Sequence, residues 1–257
     1  MKENKEYKVE ALESLRGNWP QAVLAVLVIM AVAIALSLPL EFIVMGQAAV
    51  DPMEVYSALS VPSFLTNLAC LLVLSPIVVG AVNSYKVLVT ERDGRVVRNM
   101  FTIGFRHYWT HVWAYLLRMI YTALWSLLLI VPGIVKSLSY AMTFYILEDY
   151  PELSANKAIE LSMDMMKGRK FDLFYLYLSF IGWFILCLFT LGIGYLWLVP
   201  YAESAQAVFY EDVKRDYLAR KALERGSSAP AAAQAPVAET IKKEVPRVEN
   251  PEDYMPN

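Results

Sequence analysis

The stretch that decides the fold is "QAVLAVLVIMAVAIALSLPLEFIVM", residues 21–45. Runs of about 18 or more apolar residues with few charges are typical of helices that cross a lipid bilayer. The run is also longer than the apolar core of a signal peptide, which has roughly 7 to 15 residues. We therefore predict that residues 21–45 form an uncleaved membrane helix.

Further apolar runs follow along the chain. Of its 257 residues, 57% are hydrophobic, and the mean hydropathy is +0.41, which is high for a soluble domain, where roughly half of the residues are apolar. Pro132 and Gly133 separate the third and fourth runs and Gly192 the fifth and sixth, so each pair is predicted to form a tight helical hairpin. The sequence predicts an all-α integral membrane protein with six transmembrane helices: 21–45, 62–86, 114–131, 132–147, 173–191 and 193–213.

Lysine and arginine gather on alternate sides of these six segments. The intervening segments "GQAAVDPMEVYSALS", "PG" and "TLGIG" contain neither, although Lys136 lies near that side. Cytoplasmic loops of membrane proteins carry an excess of positive charge. We therefore expect a multi-pass protein of the cell membrane with both termini in the cytoplasm. The charges that carry this prediction are Lys2, Lys5, Lys8, Arg16; Arg92, Arg95, Arg98, Arg106; Lys157, Lys167, Arg169, Lys170; and Lys214, Arg215, Arg220, Lys221, Arg225.

An amphipathic stretch precedes each pair of spans. In "SANKAIELSMDMMKG", Ser154 is a candidate N-cap and Gly168 a candidate stop. "KEYKVEALESLRGNW" places Tyr7, Ala11 and Leu15 on one side, and "RNMFTIGFRHYW" is a third, weaker example. Such helices are expected to lie in the membrane interface, although ordinary charged connectors are the alternative. The pattern predicts three units, each an interfacial helix followed by a hairpin.

Within "SANKAIELSMDMMKG" the charged and apolar residues separate by face. Lys157, Glu160, Asp164 and Lys167 are predicted to share one helical face, and Ile159, Met163 and Met166 another.

The spans divide the chain into four parts. Residues 1–19 are predicted to be a cytoplasmic amphipathic segment, 20–213 the transmembrane domain and 214–226 a cytoplasmic helix. Residues 227–257 are rich in Ala, Pro and charge and have little with which to build a core, so we expect a disordered tail.

Several motifs together resemble a bacterial family of uncharacterised multi-pass membrane proteins, domain of unknown function 975. The resemblance covers about residues 7–217. It implies a six-helix plasma-membrane protein and transfers no catalytic or ligand-binding residue. The motifs are "GNW" (17–19), "PGI" (132–134), "SYAMTFYILED" (139–149), "MKGRKFDLFYLYLSFIGW" (166–183), "TLGIGYLWLVPY" (190–201) and "FYED" (209–212).

One carboxylate lies near the middle of a predicted span. Glu203 is about 15 Å from either end of 193–213, and Gln206 and Tyr210 follow it on the same helical face. An ionisable residue at such a depth is costly and is a functional candidate by default. Lys136 and Arg118 are candidate cationic partners, although both could extend to their own membrane surface.

Two interpretations of Glu203 stay open. In the structural one, it is protonated or hydrogen-bonded to Tyr140, Tyr145 or Tyr201. In the functional one, it contacts a substrate, a proton or an ion.

The remaining candidate chemistry is sparse. His107 and His111 stand four residues apart, a spacing that suits a metal site, but no third ligand follows nearby, so we expect no metal, no cofactor and no catalytic residue. The sequence favours a non-enzymatic membrane-organising or interaction role. A small permease or channel that passes Glu203 is the alternative, and a membrane enzyme is the third. The expected partners are the lipid bilayer, anionic headgroups and other membrane proteins, not nucleic acid.

Overall fold

The computed structural model of the protein describes residues 2–47 and 52–228, and every regular element in these ranges is a helix. The all-α prediction is therefore confirmed. The helices are α1 (Asn4–Leu15), α2 (Trp19–Gln47), α3 (Pro52–Glu91), α4 (Val96–Arg106), α5 (Tyr108–Leu128), α6 (Ile130–Ser139), α7 (Thr143–Asp149), α8 (Ala155–Met165), α9 (Lys170–Leu178), α10 (Ile181–Phe189) and α11 (Tyr195–Ser228).

Four helical segments are long and apolar enough to cross a membrane. They are Trp19–Leu38, Ser63–Glu91, Ile130–Asp149 and Lys170–Phe189, and they overlap the first, second, fourth and fifth predicted spans. The third and sixth predicted spans correspond to α5 and α11, which are not among the four. Both carry more polar residues, including Arg118 in α5 and Glu203 in α11.

The α5–α6 hairpin forms, but its turn lies three residues earlier than predicted. The extended backbone of Leu129 separates the two helices, and Pro132 and Gly133 belong to the first turn of α6. Gly133 instead allows close packing, because a Cβ there would lie 2.4 Å from Ser126 Oγ. The contact between Tyr121 and Tyr140, whose ring centroids are 6.3 Å apart, continues the antiparallel register.

The turn between α10 and α11 contains the predicted Gly192. Leu191 and Gly192 both have positive φ, at 53° and 86°. The left-handed conformation favours glycine, which explains why the chain reverses there.

The predicted buried side and stop of α1, and the predicted N-cap of α8, are confirmed. Tyr7, Ala11 and Leu15 form the buried side of α1, and Gly17 ends it with a φ of 87°. Helix α8 begins where the Ser154 hydroxyl accepts a hydrogen bond from the Lys157 amide.

Two details of α8 differ from its predicted faces. Asp164 is 6% exposed and so does not share a solvated face with Lys157 and Glu160. Its carboxylate pairs with Lys167 at 2.7 Å and lies 4.0 Å from Lys221 of α11. Met163, expected on the apolar face, is only partly buried.

Each short helix packs against the second long helix of the preceding unit. Helix α4 packs on α3, and α8 packs on α7. Helix α1 packs on α11, so the first unit closes on the third. The α3–α4 contact is backbone on backbone, since a Cβ on Gly80 would lie 2.0 Å from the Met100 carbonyl oxygen. The three predicted units therefore interlock in a cycle.

Two long apolar segments are broken in the middle. Between α6 and α7, Ser162 Oγ donates to the Ser139 carbonyl at 2.7 Å and accepts from the Met142 amide at 3.2 Å. Between α9 and α10, Lys8 Nζ donates to the Ser179 carbonyl at 3.2 Å. The short helices α8 and α1 thus supply partners that the interrupted helices lack.

Helices α3, α7 and α11 run in the same direction and meet near Asp149. Lys86 near the end of α3 and Lys214 in α11 both pair with this residue. We call this the Asp149 end of the bundle and the opposite one, with Leu129 and Gly192, the turn end. Helix α11 continues without a break through 214–226. Nearly all of the predicted tail, 227–257, lies outside the described residues.

Candidate functional site

A cavity of about 540 Å³ lies between α3, α5, the broken α6–α7 segment and α11. Pockets that bind small molecules typically have volumes of about 300 to 1,000 Å³. Apolar side chains line part of the wall, including Val78 and Val82 of α3. The polar lining consists of Arg118, Thr122, Ser126, Ser137, Glu203 and Gln206.

Glu203 is half-buried on the α11 wall. Its Oε2 atom is inaccessible and has no hydrogen-bond partner among the described residues. Of the three tyrosines considered as its partners, neither Tyr140, Tyr145 nor Tyr201 bonds to this atom. A buried polar atom without a partner costs about 1 to 3 kcal/mol, and more when it is charged. Glu203, which lines the cavity, therefore has one buried carboxylate oxygen that no described residue satisfies.

Arg118 faces the same cavity from α5. Its guanidinium lies over the Phe144 ring, 4.7 Å from the centroid, and it is within electrostatic range of Glu203. An aromatic face attracts a cation by about 0.5 to 2 kcal/mol without neutralising it. The positive charge thus stays available to the cavity.

Gln206 is oriented by a neighbouring helix. Its Oε1 accepts a hydrogen bond of 2.8 Å from the Tyr177 hydroxyl of α9. Because the oxygen is engaged, the amide N–H groups are the part that can donate to a molecule in the cavity.

The other four sequence-selected residues do not line the cavity. Tyr210 donates to Asp149 Oδ2 at 2.6 Å, and Lys136 lies over the Trp125 ring at 4.7 Å. The same spacing that places Tyr210 on the face of Glu203 carries it two turns further, out of the cavity.

The two remaining tyrosines lie against other aromatic rings. Tyr140 is buried beside Tyr121, and Tyr201 meets Phe180 edge-on at 5.1 Å. Of the seven candidates, Glu203, Gln206 and Arg118 share the site.

The lining of the cavity is more buried toward the Asp149 end than toward the turn end. Phe144 and Ala141 are 4% and 3% exposed, whereas Ala123 and Ser126, near the turn end, are exposed. Phe144 stacks on Tyr115 with centroids 6.1 Å apart, which adds an aromatic layer at the closed side. Access to the cavity is therefore from the turn end or from between the helices.

Below this layer lies an ion cluster that sequence reasoning missed. Asp149 accepts hydrogen bonds from Lys86 of α3 and from Tyr210 and Lys214 of α11. The side chains of Lys86 and Asp149 are only 10% and 13% exposed. Lys86 lies four residues beyond Val82, about 6 Å along the helix. One carboxylate thus joins three helices just beyond the closed side of the cavity.

A second cluster holds α1 onto α11. Asp212 Oδ2 accepts hydrogen bonds from the Tyr7 hydroxyl at 2.7 Å and from Arg169 Nη2 at 2.9 Å, and its Oδ1 accepts from Arg215. Burial, together with the hydrogen bond to Asp212, raises the pKa of Tyr7 well above its usual value. The signal that could have revealed both clusters is the acidic pair that follows the apolar part of α7 and of α11, Glu148–Asp149 and Glu211–Asp212.

The two histidines lie away from the cavity. Their ring centroids are 6.3 Å apart, and His111 Nδ1 lies 2.9 Å from the Gly104 carbonyl oxygen. That contact uses one ring nitrogen of His111 to join α5 to α4.

A family model described as "Protein of unknown function (DUF975)" matches residues 1–140 and 128–216 of the chain. No curated protein and no solved structure matches it.

Proposed function

This chain belongs to the DUF975 family of proteins of unknown function, and we propose that it is a non-enzymatic permease of the cell membrane. In this proposal six helices span the bilayer, and a small polar solute passes through the cavity beside Glu203. The observation that carries the proposal is a cavity lined by both Arg118 and Glu203, whose Oε2 atom has no hydrogen-bond partner among the described residues.

The six-span arrangement is supported by the lengths of α5 and α11. The 21 residues of α5 extend about 32 Å, and the part of α11 up to residue 213 extends about 28 Å, against a hydrocarbon core of about 30 Å. Some of the polar residues that make these helices less apolar than the other four segments line the cavity, namely Arg118, Thr122, Ser126, Glu203 and Gln206. A transmembrane helix can carry such residues when they line a water-filled space.

The helix break beside the cavity supports a binding role. Ser137 lines the cavity just before the α6–α7 break, and Ala141 lies within it. Within a bilayer, an interrupted helix is tolerated where protein or a cavity covers the freed backbone groups. Many transporters bind their substrates at discontinuous helices of this kind.

In the proposed mechanism, the Asp149 cluster closes the cavity at the Asp149 end of the bundle. In the proposed orientation the Asp149 end faces the cytoplasm, because lysine and arginine are concentrated there. The buried part of the cavity lining then faces the cytoplasm, and the exposed part, with Ala123 and Ser126, faces the outside. Separation of Lys86 and Lys214 from Asp149 would open the cavity inward.

The interaction role that the sequence favours becomes the second candidate. A solid, aromatic-packed bundle would have supported it, whereas a cavity that reaches Glu203 supports a solute path.

Side-specific thiol labelling tests the permease proposal. A cysteine at Gln206, in a chain with Cys70 and Cys187 replaced by alanine, is exposed in native membranes to a membrane-impermeant maleimide from each side. We expect labelling from outside, because the exposed part of the cavity lining lies on that side in the proposed orientation. A cysteine at Ile185, which is 52% exposed on α10 and does not line the cavity, is the control and should stay unlabelled. Protection of position 206 from both sides would rule out a solute path.

A further inference from the structure

An acidic and a basic side chain, Glu203 and Arg118, line the cavity from different helices. Glu203 on α11 has an unsatisfied oxygen, and Arg118 on α5 rests on an aromatic ring. In the part of the chain that the structure describes, no ion pair within 4.0 Å joins them to each other or to a third residue. The cavity wall therefore carries an acidic and a basic group that do not pair with each other.

From this arrangement we propose that the ligand is a compact zwitterion with an ammonium group and a carboxylate, such as an amino acid or a betaine. The proposal rests on the permease function and names its substrate class. The ammonium binds Glu203 and the carboxylate binds Arg118, so one molecule satisfies both charges.

Single charges fit this cavity less well. A simple cation near Glu203 is repelled by Arg118, and a simple anion near Arg118 is repelled by Glu203. These repulsions matter more in a membrane protein interior than in water, because the lower dielectric constant strengthens them. A zwitterion encounters an attraction at each end.

The remaining polar lining suits the same ligand. The Gln206 amide, held by Tyr177, has N–H groups free to donate to a carboxylate. The hydroxyls of Thr122, Ser126 and Ser137 can either donate or accept. Val78, Val82 and Met119 offer apolar contact to a side chain, and the volume of about 540 Å³ suits a molecule of amino-acid size.

The test compares compounds that differ in one charge. Purified full-length protein in detergent is titrated with L-alanine, L-leucine, L-glutamine and glycine betaine while its thermal unfolding is followed. Ethylamine and propionate, which are L-alanine without its carboxylate or without its amine, are the single-charge controls. We expect at least one zwitterion to raise the melting temperature by several degrees. Each single-charge analogue should need at least a tenfold higher concentration for half of its effect.

Two variants then assign the charges. Arg118→Gln should no longer bind the zwitterion but should bind ethylamine at least as well as the wild type does. Glu203→Gln should also no longer bind the zwitterion but should bind propionate better than the wild type does. If a variant fails to fold, the wild-type comparison alone still decides, since it needs no substitution.

Two outcomes would overturn the proposal. One is that none of the four zwitterions stabilises the wild-type protein, and the other is that the single-charge analogues act equally well. If position 206 is nevertheless labelled from outside, the permease function stands and only the substrate class fails. If position 206 is protected from both sides, both fail.

Discussion

At Asp149 a single carboxylate accepts hydrogen bonds from Lys86, Tyr210 and Lys214 on two other helices. Removal of one partner from a buried pair leaves an uncompensated charge, which costs about 3 kcal/mol. We expect Asp149→Asn to lower the free energy of unfolding by about this amount, measured by titration with sodium dodecyl sulfate in mixed micelles.

Asp93→Asn is the matched control for Asp149→Asn. Asp93 lies in the loop before α4, where it pairs with the 65% exposed side chain of Arg95 and accepts hydrogen bonds from the Arg95 amide and the Asn99 side chain. These contacts are local and join no two long helices, so Asp93→Asn should shift the unfolding curve much less than Asp149→Asn does. Equal effects of the two substitutions would show that Asp149 does not hold the three helices together.

Asp164 of α8 predicts a pH dependence. Burial opposes its ionisation, but hydrogen bonds from Lys167 and Tyr217 outweigh it and hold the pKa of Asp164 below its usual value. Since the folded-state pKa is depressed, the ionised group stabilises the fold above the unfolded-state pKa of about 3.9, and this contribution is lost as the pH falls through the folded-state pKa. The melting temperature of the wild type should exceed that of Asp164→Asn near neutral pH. The difference should shrink below about pH 4, and a difference that grows on acidification would contradict this assignment.

At the scale of single residues, the sequence identifies Glu203 and Arg118 as unusual but does not identify the Asp149 cluster near them. Glu203 and Arg118 stand out because lipid tolerates neither easily. Asp149 does not stand out, because a carboxylate at the end of an apolar run is ordinary. Only the convergence of three helices, which is a tertiary property, makes it a shared partner.

Among the helices, α8 has a function beyond its own amphipathic face. Ser162 satisfies both backbone groups left by the α6–α7 break. Ser162→Ala leaves a buried donor and a buried acceptor unpaired, so we expect a loss of about 2 kcal/mol in the same detergent titration.

Ser154→Ala on the same helix is the control for Ser162→Ala. The Ser154 side chain only caps the exposed start of α8, with an N–O distance of 3.4 Å, and its loss should cost about 0.5 kcal/mol. If Ser154→Ala proves as costly as Ser162→Ala, the bridging role assigned to Ser162 is wrong.

The starts and stops of the short helices were predictable, but the long-helix breaks were not. Gly17, Ser154 and Gly168 act locally, through a positive φ or a hydroxyl cap. The α6–α7 break contains neither proline nor glycine and depends on Ser162, which is about twenty residues away in the chain. The prediction that Pro132 lies in the turn is wrong. Proline is also well accepted in the first turn of a helix, so its presence does not distinguish the turn from the start of α6.

At the scale of the whole molecule, the proposed six spans place both termini on the same side. A green fluorescent protein fused to either terminus should fluoresce, and alkaline phosphatase inserted after Gly192 should be active, because these positions lie on opposite sides of the membrane. An inactive phosphatase at Gly192, or a terminus outside the cell, would break the six-span arrangement.

The three-unit plan could be predicted from sequence, but its closure could not. Apolar runs and amphipathic stretches follow the chain and are visible in it. The packing of α1 on α11 joins Tyr7 to Asp212, 205 residues apart, and no local pattern encodes such a contact. The cavity likewise depends on the space between helices, which sequence alone does not specify.

The most direct test of the central claim is whether the space beside Glu203 contains water. A nitroxide at Thr122→Cys lies on the cavity wall, and one at Ile185→Cys is the matched lipid-facing control, again in a chain without Cys70 and Cys187. The rate at which the nitroxide collides with a water-soluble nickel complex should exceed its collision rate with oxygen at position 122. At position 185 the collision rate with oxygen should be the higher of the two. A higher collision rate with oxygen at both positions would mean that lipid fills the cavity. That result would contradict a solute path past Glu203.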